Sequence, residues 1–188
     1  KIPFSIQSNQ FIKTFKCERV TIMTSFERNA IIIGQICDVI EPGKKMLQKM
    51  MYLIERQGVN LELKYSIHFF GPYSSKLDET IHILESNDRL VIDTSGVTHI
   101  IHKGIIPIEG HLDIEDQEKT DFVIEHFSNK SALDMEAITT LDYVANKMLG
   151  GTKDEEEIIS KVKKIKGSKF SEARLTENLH ILKDLHYI

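Results

Sequence analysis

The chain has 188 residues, with 24 Lys and Arg against 28 Asp and Glu and a formal net charge of −4. That length gives one ordinary domain or two small ones, able to bury roughly 70% of the unfolded surface. With 41% apolar and 28% charged residues, the composition excludes a disordered or fibrous chain, and the mild acidity weakens nucleic-acid binding by bulk charge.

Apolar runs such as Ala30–Ile33, four residues long, fall far short of the ~20 needed to cross a membrane. Residues 1–10 lack the apolar centre of a signal peptide. The two cysteines, Cys17 and Cys37, read as reduced thiols in a cytoplasmic protein rather than as a disulfide framework.

In chain order, residues 1–22 show no clean period and carry Lys1, Lys13, Lys16 and Arg19 against Glu18. They read as an N-terminal extension, either cloning-derived or upstream-translated sequence or an arm packed on the body. From Thr24, a helix N-cap candidate, Phe26, Ala30, Ile33, Ile36, Cys37 and Ile40 form a helical stripe. Pro42-Gly43 ends it. A second helix is expected over 44–57, with Met46, Leu47, Met50, Leu53 and Ile54 inside and Gly58 closing it. Residues 61–70 alternate, with Leu61, Leu63, Tyr65, Ile67 and Phe69 on one face, and predict a half-buried strand. Gly71–Ser74 reads as a turn, with Ser74 or Ser75 capping a third helix over 75–87.

Residues 90–93 and 97–103 read as a hairpin about Thr94-Ser95-Gly96. The order helix, helix, strand, helix, strand, strand is close to that of a winged-helix domain. Pro107 and the glycines of 104–110 mark a boundary. Beyond it, helices are expected over 118–127, 134–149, 154–166 and 171–187. The fold class is therefore α+β: a winged-helix-like domain over 23–108, then a mostly helical domain over 109–188.

Motifs for catalysis are missing from the sequence. There is no Gly-rich phosphate loop, nucleophile elbow, His-Glu-x-x-His or Cys-x-x-Cys. Cys37 falls on an apolar helix face, as a buried inert thiol would. His99 and His102 sit on opposite faces of a strand, so no metal or other cofactor is assigned. The third helix, as a recognition helix, would present Lys76 with Asp78, Glu79, His82 and Glu85, and three carboxylates oppose insertion between phosphates.

Charge is unevenly spread. Residues 109–142 hold ten acids and two lysines, residues 43–64 hold five basic and two acidic residues, and residues 161–174 carry a net +5. Lys161, Lys163, Lys164, Lys166, Lys169 and Arg174 of the last run are candidates for contact with phosphate or an acidic partner; equally, they could face the acidic 109–142 segment of this chain or of a second copy.

Lys45-Met46-Leu47-Gln48-Lys49, the aromatic run from Tyr65 to Phe70, Gly71-Pro72-Tyr73-Ser74 and the late Lys166–Glu172 element together resemble the YwgA-like family of small bacterial proteins, over residues 25–188. A fainter similarity is to the Panacea (SocA-like) antitoxin domains. The first resemblance implies no catalytic set; the second implies a protein partner. The expectation is a non-enzymatic cytoplasmic binding protein of bacterial or phage origin, with Tyr52, Tyr65, His68, Phe70 and Tyr73 as its contact patch. A structural reading of Gly71-Pro72-Tyr73, as a rigid corner with Tyr73 packed inward, stands beside that. The alternative function is a DNA-binding winged-helix regulator acting as a dimer.

Overall fold

The computed structural model describes residues 23–188; Cys17 and the whole basic N-terminal extension lie outside the described residues. The elements are α1 (Ser25–Val39), α2 (Lys44–Arg56), β1 (Ser66–His68), β2 (Gly71–Tyr73), α3 (Ser75–Ser86), β3 (Leu90–Asp93), β4 (Ile100–Lys103), α4 (Ile114–Phe127), α5 (Ala132–Tyr143), α6 (Glu155–Lys166) and α7 (Glu172–Asp184). A π-helical turn, Val144–Met148, continues α5. The architecture is mixed α+β, 58% helical, with two small antiparallel sheets, β1-β2 and β3-β4.

Local chemistry explains most boundaries. Thr24 and Glu27 cap α1 reciprocally, the side chain of each accepting from the other's backbone N–H. Ser74, Asp113, Ser131, Asp154 and Ser171 each accept a backbone N–H in the first turn of the helix they precede. The Asp113 cap starts α4 four residues before the predicted Glu118, and Glu115 and Asp116 in that first turn suit the helix dipole.

The segment 61–73 departs from its expected form. Leu61, Leu63 and Tyr65 do point inward, but Glu62 and Lys64 sit at φ 55° and 52°, so residues 61–65 are irregular and the strand is confined to 66–68. Gly71–Tyr73, expected as a turn, is itself a strand, pairing Ser66 with Tyr73 and His68 with Gly71. The turn is Phe69-Phe70, and Phe69 faces solvent at 77% exposure rather than the core. Gly71 has φ +90°, and a Cβ there would stand 3.0 Å from Thr140 Oγ1 of α5, so the position needs glycine on both counts.

α2 and α5 are buried almost all round. Every residue from Leu47 to Ile54 in α2, and from Met135 to Asp142 in α5, is buried. A helix packed on several sides loses the simple amphipathic stripe. One apolar cluster runs from Ile33 in α1 through Met50 and Leu53 in α2 to Ile138 and Leu141 in α5 and Leu179 in α7. It crosses the expected 108/109 boundary without a break. Arg28 of α1 pairs with Asp116 of α4 at 2.8 Å, and Gln35 donates to Gln117 at 2.8 Å across the same seam.

Cys37 is partly buried against β4 and its thiol faces the Ile101 carbonyl oxygen. Burial, with Asp38 adding to it, pushes the thiol up to about 12, so little thiolate exists at neutral pH. In a Cys17→Ser background, a disulfide reagent at pH 8 is expected to modify Cys37 at least tenfold more slowly in the native protein than in denaturant. Equal rates would show the thiol to be open.

Candidate functional site: an aromatic hairpin among lysines

The β1-β2 hairpin is held from beneath by polar side chains that α2 buries. Gln48 donates to the Ser74 carbonyl at 2.9 Å and accepts from the Ser74 N–H at 3.0 Å. Tyr65 donates its hydroxyl to the Gln48 carbonyl at 3.2 Å, and Ser74 donates to Leu63 O. Lys49 donates to the Pro72 carbonyl at 2.5 Å. The side chains of α2 thus take the place of a neighbouring strand for this short hairpin, because buried backbone groups must be paired.

A second clamp comes from the far end of the chain. The Lys166 ammonium, 4% exposed, donates to the Phe69 carbonyl and lies 3.4 Å from His68 O. The same nitrogen reaches Glu136 of α5 at 3.0 Å, and Lys169 grips both oxygens of that carboxylate at 2.7 Å. The Lys45 ammonium stands 3.6 Å over the Phe70 ring and Lys169 5.0 Å from it, both within cation–π range. Four lysines, 45, 49, 166 and 169, therefore surround a hairpin whose tip is aromatic, with Glu136 shared among them.

Crowding and burial act on Lys49. It is 3% exposed, and burial holds its ammonium down at about 7. Lys166, Lys169 and Lys45 push the same way, and Glu136 opposes them. Between the first turn of α2 and the hairpin lies a cleft of 310 Å³, walled by His68, Phe69, Phe70 and Tyr73 and edged by Lys44, Lys45 and Lys49. A second cleft, of 220 Å³, lies beyond Phe70, against Glu136 and Lys169.

Two members of the expected contact patch are corrected by their burial. Tyr52 is 2% exposed; it donates to Asp142 and stacks edge-on against Tyr65 at 5.1 Å. Tyr65 is likewise turned inward on α2, and burial pushes its hydroxyl well up. Both are turned into the scaffold and hydrogen-bonded within it. His68 and Phe70 are exposed; Tyr73 is partly buried against His68, ring centres 5.0 Å apart.

The basic run 161–174 divides. Lys166 and Lys169 join the hairpin, while Lys163 pairs with Glu172 at 2.5 Å and Arg174 with Asp134 at 3.4 Å. Lys161 and Lys164 make no ion pair among the described residues. Glu136 and Asp134 both belong to the acidic 109–142 segment, so the lysine end meets that segment within one chain. Among the described residues no group of three or more His, Cys, Asp or Glu side chains could hold a metal ion. No helix there is long and apolar enough to cross a membrane.

Sequence reasoning missed Lys44, Lys45, Lys49, Phe69 and Glu136. The signal for the lysines was the net positive charge of 43–64; Glu136 was hidden among ten acids. No family model matches the chain, and no curated protein sequence matches it.

Proposed function

We propose that this chain is a non-enzymatic cytoplasmic binding protein that docks a protein partner on the tip of the β1-β2 hairpin. One observation carries the reading: Phe69 and Phe70, 77% and 42% exposed, stand on a two-residue turn fixed by Lys166 at its carbonyl and ringed by lysines. Exposed aromatics on a rigid mount bind at little ordering cost, and aromatic anchors dominate interface energetics. The surrounding ammonium groups select a partner whose apolar contact is flanked by carboxylates. The likeness of the Gly71–Ser74 element to antitoxin domains supports a protein partner as well.

The double substitution Phe69→Ala/Phe70→Ala is expected to keep the melting temperature within a few degrees and to weaken at least one specific partner by tenfold or more. Quantitative affinity capture from a bacterial lysate checks this, with Lys161→Ala/Lys164→Ala as a control that retains the partner. Recovery of the same proteins at the same levels by all three chains would remove the hairpin from the interface.

A second reading has its own support. Gly43, between α1 and α2, bridges to Ile100, with Ile101 donating to Pro42 O at 2.9 Å and Lys44 to His99 O at 3.1 Å. That contact supplies the short strand a winged-helix arrangement places between its first two helices, and on it we propose that residues 23–108 are winged-helix-like, with β3-β4 as the wing. DNA binding is less well supported. Leu77, Ile81 and Leu84 turn α3 so that Glu79 and His82 face solvent, with Asp78 and Glu85 partly exposed beside them, and such a face repels phosphate.

A further inference from the structure

We propose that the cleft between the first turn of α2 and the β1-β2 hairpin binds a small phosphate monoester whose phosphate is attached to a planar aromatic body. This goes beyond the docking of a protein on the tip and does not depend on it, although Phe69 and Phe70 belong to both surfaces.

The walls fit the body. Three aromatic rings of the hairpin, His68, Phe70 and Tyr73, line a cleft of 310 Å³, which is the lower end of the range for small-ligand sites. Flat aromatic surfaces accept a planar ring by stacking.

The edge fits the phosphate. Lys45 and Lys49 both line this cleft, and neither has a carboxylate partner within ion-pair distance among the described residues. Lys45 rests on the Phe70 ring, and the one hydrogen bond shown for the Lys49 ammonium goes to a neutral carbonyl. One carboxylate stands at the rim: Asp78 takes up Lys44 at 3.2 Å and lies 3.6 Å from His82. Lys44 is thereby neutralised, leaving Lys45 and Lys49 for the ligand.

A dianion placed there relieves the repulsion on Lys49. The groups facing its ammonium are Lys45 from α2, Lys166 from α6, Lys169 from the segment after it, and Glu136 from α5. Only Glu136 now offsets three positive neighbours. Binding therefore draws a proton onto Lys49 at pH 7.5, where the free site holds it incompletely protonated.

Phenyl phosphate is the minimal probe, with inorganic phosphate and phenol as its two halves and adenosine monophosphate as a larger analogue. Isothermal titration of residues 1–188 at pH 7.5, in buffers of different ionisation heat, is expected to show saturable 1:1 binding of phenyl phosphate with uptake of a fraction of a proton. Inorganic phosphate binds at least tenfold more weakly and phenol shows no saturation. Lys45→Ala, an exposed position, weakens phenyl phosphate tenfold or more with the fold intact by melting curve. Phe70→Ala removes the preference over inorganic phosphate. Lys49→Met abolishes the proton uptake. No saturation by phenyl phosphate or adenosine monophosphate at millimolar concentration would overturn the proposal; so would equal affinity for inorganic phosphate, or affinity indifferent to Lys45→Ala. Phe69 and Phe70 belong to both surfaces, so the two readings are separated in the unaltered chain: saturable phenyl phosphate binding without capture of a specific partner, or capture without phenyl phosphate binding, makes one reading fail without the other.

Discussion

Lys49→Met is expected to make the protein more stable at pH 6 and to lose that advantage steadily as the pH rises. The Lys49 ammonium is buried and held down at about 7 against an ordinary 10.5. Below pH 7 both the folded and the unfolded chain carry the proton, so the full cost of burying the charge is present, about 5 kcal/mol. Between pH 7 and 10.5 the unfolded chain holds the proton more tightly than the folded one, so the stability of the wild type climbs with pH. Above 10.5 neither state is charged and the cost is gone. Methionine has nearly the same length and no charge, so Lys49→Met removes this dependence. It also leaves the Pro72 carbonyl without its donor, a loss of about 2 kcal/mol. The balance is a gain of about 3 kcal/mol at pH 6 that shrinks by about 1.4 kcal/mol per pH unit above 7 and changes sign before pH 10. Urea unfolding of both chains at pH 6, 7.5 and 9 measures the difference directly, since every other titrating group is common to the two. A constant difference across that range would mean that Lys49 titrates as an ordinary solvated lysine.

The helices were legible because their signals are local. Thr24, Ser74 and Gly167 announce where chains of apolar residues at three- and four-residue steps begin or stop, and Thr24 caps α1, Ser74 caps α3 and Gly167 closes α6. The period-two alternation at 61–69 misled for a physical reason. Two residues in the left-handed region, Glu62 and Lys64, throw alternate side chains outward as a strand would, so the in-out pattern survives without the strand. It fails at Phe69 because the chain reverses there. The lysine site was hidden differently. Lys45 and Lys49 lie on α2, Lys166 and Lys169 more than a hundred residues later, and Glu136 on α5; only the packing of α2 against α5 and of α6 behind the hairpin brings them together. Nor could spacing show that Gln48, Lys49 and Tyr52 would be buried. Each stands on the side of α2 that a strictly amphipathic helix would leave wet.

Tyr52 leads to the other large expected effect. Asp142→Ala should destabilise the protein by about 3–5 kcal/mol, the cost of breaking a buried ion pair from one side. Asp142 has no exposed side-chain surface, and its carboxylate accepts from Arg56 at 2.8 and 3.2 Å, from Asn146 at 2.9 Å and from the Tyr52 hydroxyl. Burial pushes the carboxyl up, and the donors from Arg56, Tyr52 and Asn146 pull against it. Removing the carboxylate orphans three donors at once. It also frees the carboxyl end of the chain, because Arg56 and Asn146 each reach the Tyr187 carbonyl at 3.3 Å, and Tyr187 packs edge-on against Phe127 at 5.9 Å. The pair is thus a strut joining α2, α5 and the last residues behind α7. The double variant Asp142→Leu/Arg56→Met leaves no unpaired charge and should recover more than half of the loss, since an apolar replacement of similar volume avoids the desolvation that a single deletion exposes. Urea midpoints for the single and double variants decide the matter: a double variant as unstable as the sum of its singles would show that Arg56 and Asp142 act separately, and the strut would not exist as a unit.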